Sequence, residues 1–143
     1  MNDINPFARQ HADIRQGVRD VCSSFDNSYW QKLEESSGYP EAFVQELTKA
    51  GYLAALIPEA YGGSGLGILD AGLILEEINH AGGNAAACHA QMYIMGTLLR
   101  YGSEEQKARY LPQIANGTLR LQAFGVTEPN SGSDTTQLQT AAV

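Results

Sequence analysis

The chain has 143 residues, 43 % apolar and 17 % charged, with a formal net charge of −7. That is enough apolar material for one packed core, and the composition is neither that of a disordered chain nor that of a coiled coil. The acidic balance argues against a nucleic-acid or anionic-membrane surface, which would need clustered Lys and Arg, and no stretch approaches the ~20 apolar residues of a membrane span.

The start, Met1-Asn-Asp-Ile-Asn-Pro, has neither a basic opening nor an apolar core segment, so no secretory signal is visible and a cytoplasmic location is expected. Phe7, Ile14, Val18, Val21 and Phe25 keep to one face of a helix. Cys22 and Cys88 lie far apart, match no metal spacing, and read as buried free thiols of a reducing compartment. Pro40 can open a second helix at its first turn. Phe43, Val44 and Leu47 give that helix an apolar stripe, and Gly51 sits where a left-handed cap would end it.

After Leu53 to Ile57 comes Pro58-Glu-Ala-Tyr-Gly-Gly-Ser-Gly-Leu-Gly67, whose glycines mark an irregular connection. Gly63, Gly65 and Gly67 are spaced G-x-G-x-G, which is not the dinucleotide fingerprint, and no Lys follows to make a phosphate loop. Asp70 is positioned to cap a third helix, with Ala71, Ile74, Leu75 and Ile78 on its apolar face and Ala81-Gly82-Gly83 as its stop. A fourth helix is expected from Asn84 to Tyr101, carrying Met92, Met95 and Leu99 on one face and starting on small side chains. Ser103-Glu-Glu-Gln106 has the form of a capping box, and Pro112 should interrupt the helix it opens. Asn116-Gly117 ends the helical region, and Asn116-Gly117-Thr118 reads as a turn rather than a glycosylation site.

The period then changes. Leu119, Leu121 and Ala123 alternate with Arg120, Gln122 and Phe124, the mark of a strand. Thr135 to Val143 allows a second strand. Between them lies Gly125-Val-Thr-Glu-Pro-Asn-Ser-Gly-Ser-Asp134. Thr127 offers a hydroxyl at a strand end, Pro129 fixes the chain direction, and Asn130 to Ser133 can turn backbone N–H groups inward as an anion nest. Glu128 and Asp134 suit holding the loop by accepting hydrogen bonds. The set fits a ligand with a polar heteroaromatic edge and a phosphate, and it equally fits a tight turn rich in turn formers.

Gly125 to Asp134 resembles the flavin-contacting signature of the acyl-CoA dehydrogenase family, T-E-P-x-x-G-S-D after a small or apolar residue. Ile57-Pro-Glu-Ala-Tyr-Gly-Gly63 looks like the family's I-P-E-x-Y-G-G, and Leu75-Glu-Glu-Ile78 like its E-E helix. Tyr101-Gly-Ser-Glu-Glu-Gln-Lys107, with Tyr110-Leu-Pro112 and Asn116-Gly117, looks like its G-[ST]-x-E-Q-K…Y-L-P…G block.

The resemblance implies a mostly α chain: an N-terminal helical domain over 1–117 and, over 118–143, the first strands of a truncated middle β-domain. Family members are more than twice this length and hold FAD noncovalently. They oxidise an acyl-CoA thioester to the 2,3-enoyl-CoA and pass electrons to an electron-transfer flavoprotein. The full-length protein is expected to be a homo-oligomer, a dimer or tetramer. Carried over, Phe124, Gly125 and Val126 line the flavin, with Val126 offering its backbone to the pyrimidine edge. Thr127 hydrogen-bonds near the reactive nitrogen. Gly132 and Ser133 lie by the pyrophosphate and the acyl-CoA, Ser133 as the substrate contact. The segment Asn84 to His89 lies near the acyl-chain pocket.

Asn130-Ser131 stands where many members have Gly-Ala. The family's catalytic base is a carboxylate of a C-terminal bundle that nothing here matches, so no catalytic residue is assigned and the chain alone is expected to be inactive. Glu76, Glu77, Glu104 and Glu105 read as solvated or capping charges. His11, His80 and His89 have no zinc spacing. Alternatives are an acyl-CoA oxidase or flavin monooxygenase on the same fold, or a short non-catalytic subunit that completes a partner.

Overall fold

The computed structural model describes residues 11–141. Six α-helices are present among them: α1 Ala12–Cys22, α2 Asn27–Ser36, α3 Glu41–Lys49, α4 Ile68–His80, α5 Ala86–Tyr101 and α6 Glu104–Ala115. Short 3₁₀ turns occur at Tyr52–Ala54, Glu59–Tyr61 and Thr135–Gln137.

The apolar faces read from the sequence converge on one core. Val18 and Cys22 of α1, Phe43, Val44 and Leu47 of α3, Ala71, Ile74 and Ile78 of α4, Cys88, Met92 and Met95 of α5, and Leu111 and Ile114 of α6 are all buried in it. Leu53, Ala54, Ala55 and Ile57 thread through its middle. Full burial of one such aliphatic side chain stabilises the fold by about 1.5–3 kcal/mol. Phe7 lies outside the described residues. Phe25, beyond the end of α1, meets Tyr29 and Phe43 edge-on at centroid separations of 4.8 and 5.2 Å.

Helix α2 is the element the periodicity did not mark. It buries no residue fully, so it shows no sharp apolar face. It is started by Asp26, whose carboxylate accepts the Tyr29 N–H at 3.0 Å, and is held by Tyr29 and Trp30 against the core.

Several boundaries follow their local chemistry. Gly51 adopts φ 81° after α3, as a left-handed cap requires. Pro40 precedes α3 as its N-cap instead of lying in its first turn. Helix α4 begins at Ile68, before the expected cap at Asp70. Asp70 works from inside the helix, its Oδ2 accepting the Gly67 N–H at 2.9 Å. The Gly83 N–H closes the other end on Ile78 O at 2.9 Å. Ser103 and Gln106 form the expected capping box, with bonds of 2.9 and 3.1 Å. Pro112 does not interrupt α6, which runs through it to Ala115. Leu111 and Ile114, 0 % and 1 % exposed, clamp the last turn in the core and outweigh the one backbone bond proline removes.

The glycine connection serves close packing. A Cβ at Gly63 would stand 2.0 Å from Ile57 O, so only glycine lets the chain fold back on the Ile57 backbone. Gly65 N–H and Leu66 N–H then donate to Ile57 O and Ala55 O at 2.8 and 2.7 Å.

Glu77 is not a solvated charge. It is 2 % exposed and faces the contact of α1 with α4. Arg15 Nη1 donates to its Oε1, and Arg19 Nε donates to its Oε2 at 2.7 Å. Arg15 also reaches Glu76 at 2.8 Å. Hydrogen bonds from both guanidinium groups overcome the effect of burial and hold the Glu77 carboxyl below its ordinary range. His11 adds a 3.1 Å contact to Asp70 at the same junction.

Candidate functional site

Residues 119–124 form no strand, nor do residues 135–141; the only bridge among the described residues is Glu128 with Ser131. A period of two prepares a segment for a ladder, but a ladder needs a second strand, and none lies beside it. The Leu119 N–H donates to Gln113 O at 3.0 Å instead. Thr135–Gln137 is turned by Asp134, whose Oδ1 accepts the Thr136 N–H at 3.1 Å.

The segment is held by its side chains. Leu119 and Leu121 pack on the core. Arg120 donates to Glu41 at 2.7 Å and lies over the Tyr39 ring at 5.9 Å. Gln122 accepts from the Tyr39 hydroxyl at 2.5 Å and donates to Gln91 at 3.1 Å. Beyond Gln122 the alternation breaks, since Phe124 lines the same cleft as Leu119 and Leu121. That cleft, about 660 Å³, also includes Tyr93, Leu98 and Tyr110. Phe124 meets Tyr93 edge-on at 5.0 Å yet stays 63 % exposed.

The loop beyond is closed on itself. Glu128 and Ser131 exchange backbone bonds of 2.8 and 3.1 Å around Pro129-Asn130. Ser131 is 4 % exposed and donates its hydroxyl to Asp134 O at 2.7 Å, so the Asn-Ser pair here is a structural turn. Glu128 accepts the Gln139 and Thr140 N–H groups at 2.9 and 2.8 Å. A hydrogen bond from the Thr140 side chain, together with those two, holds its carboxyl below the ordinary value, and Thr136 does the same for Asp134. Both acids therefore bind the loop to itself, as their positions suggested.

Of the proposed contact residues, Phe124 packs on Tyr93, while those beyond it lie toward the surface. Gly125, Thr127, Gly132 and Ser133 are exposed and Val126 is half-buried. A Cβ at Gly125 or Gly132 would meet nothing within 4 Å, and neither glycine has positive φ. Nothing inside this chain requires glycine at either position.

The small-residue segment divides. Asn84, Ala86 and Ala87 line a second cleft of about 520 Å³ with Tyr39, Pro40, Ala90 and Gln122. Cys88 is buried in the core, and His89 stacks edge-on with Tyr93 at 5.2 Å. Sequence reasoning missed Tyr39, Gln91 and Arg120 as supports of the segment. Arg120 and Gln122 on alternate positions were the available signal, because polar side chains on one face of an extended segment need partners.

Residues 8–118 match the family model of the acyl-CoA dehydrogenase N-terminal domain. Acyl-CoA dehydrogenase FadE12 of Mycobacterium tuberculosis is 32 % identical over 90 % of this chain and 33 % of its own. Among solved structures, an acyl-CoA dehydrogenase complexed with FAD from Bacillus anthracis is 31 % identical, with a TM-score of 0.75 over 93 % of this chain and 23 % of that one. The prolyl acyl carrier protein oxidase AnaB is 27 % identical, with a TM-score of 0.74 over 92 % of this chain and 36 % of its own. The chain belongs to the acyl-CoA dehydrogenase family and has the fold of its N-terminal helical domain. It spans about a third of the length of the curated relatives it matches.

Proposed function

We propose that this chain is the helical N-terminal part, residues 1–117, and the opening of the β-domain, from 118, of an FAD-dependent acyl-CoA dehydrogenase. The whole protein would oxidise an acyl-CoA thioester to the 2,3-enoyl-CoA and deliver electrons to an electron-transfer flavoprotein. The observation that carries this reading is the free stretch Gly125 to Thr127, with Gly132 and Ser133, held between two fastened ends.

The donor set fits FAD. Backbone groups outside any ladder can meet a pyrimidine edge, and the exposed hydroxyls of Thr127 and Ser133 can donate to ring nitrogen and phosphate. The room beside Gly125 and Gly132 admits a ligand close to the backbone. When bound, FAD supplies the hydride acceptor. Phe124, Gly125 and Val126 would line it, and Thr127 would place a donor where charge develops. Gly132 and Ser133 would face pyrophosphate and acyl-CoA, with Ser133 the substrate contact.

On this reading no catalytic base is assigned among the described residues. Glu77 is neutralised by Arg15 and Arg19, and Glu104 pairs with Lys107 at 2.9 Å. The chain alone would be inactive.

The test is the visible spectrum after FAD addition and desalting, for this chain and for a longer protein that contains it. A flavin band kept by the longer protein and weakened by Thr127→Ala is the expected result. A longer protein that stays colourless overturns the reading. The likeness to AnaB supports a second reading, an oxidase on the same fold. Reoxidation of the reduced longer protein by oxygen, with no carrier protein present, would decide for it.

A further inference from the structure

Gln91 is 2 % exposed, in the middle of α5, among Cys88, Met92 and Met95. A polar side chain so placed must spend both ends of its amide on partners. Its Nε2 donates to Leu53 O at 3.3 Å, inside the core. Its Oε1 accepts from Gln122 Nε2 at 3.1 Å, and Gln122 Oε1 accepts from the Tyr39 hydroxyl at 2.5 Å. The relay thus runs from the core backbone to the segment that ends in Phe124 to Thr127.

We propose that Gln91 is a positioning residue for the flavin-contacting stretch, acting through Gln122 and Tyr39. This rests on the flavin reading above. The Leu119 N–H, bonded to Gln113 O at 3.0 Å, fixes where the segment starts, but no N–H of residues 120–127 has a partner among the described residues. Beyond Leu119 the chain is held by side chains, and the apolar contact of Leu121 does not by itself fix the path of the residues that follow. An amide-to-amide pair is directional and has one correct partner. Gln122 seated on Gln91 fixes where the chain leaves the helices, two residues before Phe124. Arg120 on Glu41 supports the same register from the exposed side, at 2.7 Å.

The test compares Gln91→Met, Gln122→Met and the double variant, with Tyr39→Phe as the mildest change. Methionine fills similar space without a polar group, so the core is retained. Tryptic cleavage after Arg120, followed on the chain alone, needs no flavin. It should quicken about tenfold in each methionine variant, as when one hydrogen-bonded anchor is lost, while cleavage after Lys49 at the end of α3 stays unchanged. The double variant should be cut no faster than either single one, since the two amides act as a unit. In the longer FAD-binding protein, the flavin dissociation constant should rise by a similar factor.

Unchanged cleavage after Arg120 in Gln91→Met overturns the relay. Faster cleavage with an unchanged flavin dissociation constant overturns its role toward the flavin. A wild-type longer protein that binds no FAD defeats the flavin reading itself, a result the cleavage measurement cannot produce.

Discussion

Arg15 and Glu77 face each other across the contact of α1 with α4, their side chains 6 % and 3 % exposed. An ion pair so removed from water costs much of its attraction in desolvation. It stands because each partner is there. Removing one should be far worse than removing both. Glu77→Ala, which leaves Arg15 buried without that partner, should lower stability by about 3–5 kcal/mol. Arg15→Met with Glu77→Leu should stay within about 1 kcal/mol of the wild type. Urea unfolding followed by tryptophan fluorescence checks both, since Trp30 is the one tryptophan.

The same carboxylate sets an acid limit. Burial alone would raise the Glu77 value above the ordinary 4.5, but hydrogen bonds from Arg19 and Arg15 prevail and lower it. The unfolded chain therefore takes up this proton at a higher pH than the folded one. Stability from Glu77 is fully present above pH 4.5 and is lost as pH falls through the folded value. Glu77→Gln should be less stable than wild type at neutral pH, with a shallower loss of stability toward acid. Unfolding midpoints measured across that range report it; parallel profiles for the two proteins would contradict the assignment.

How much of this was legible depended on what each residue had to satisfy locally. The capping box at Ser103 and Gln106 and the glycine at Gly51 read correctly because each answers to its own neighbours. The apolar faces of α1, α3, α4 and α5 read correctly because burial imposes a helical period. Helix α2 stayed hidden because its anchor is an aromatic cluster, not a stripe. Glu77 was misjudged from residue type alone. Its position, three after Ile74 and one before Ile78, lies on the buried face of α4, and Arg15 and Arg19, four residues apart, share one side of α1. The strand expected at Leu119–Phe124 shows the limit most clearly. Period two states which side chains share a face, and only a partner decides whether a ladder forms.

Two glycines should respond in opposite ways. Gly63→Ala drives a Cβ against Ile57 O, a backbone atom that cannot step aside. It should lower stability by about 1–3 kcal/mol, the cost of overpacking, and shift the unfolding midpoint accordingly. Gly125→Ala meets open space in this chain and should leave the midpoint in place. In the longer protein it should weaken flavin retention on desalting, because the added methyl lies where a ligand would approach the backbone. An unaffected flavin band would remove Gly125 from the site.

Glu128 ties the tail to the turn by accepting two backbone N–H groups from Gln139 and Thr140. The carboxylate is at the surface, so its contribution is local. Glu128→Gln should quicken amide exchange at Gln139 and Thr140 and leave α1 to α6 unchanged. It should also quicken proteolysis after residue 134 under conditions where the helices stay intact.

Cys88 is 0 % exposed on the core face of α5, where burial pushes its thiol up to about 12. Cys22 is 7 % exposed, and burial raises its thiol too. The thiolate is the reactive form, so neither side chain should react with a maleimide or disulfide reagent at neutral pH while the fold holds. Both should react after denaturation. Labelling at pH 7 followed by mass spectrometry, with and without urea, gives the count. A thiol that labels quickly in native buffer would mean that the helices part locally around it, because at Cys88 no route from solvent exists in the closed core.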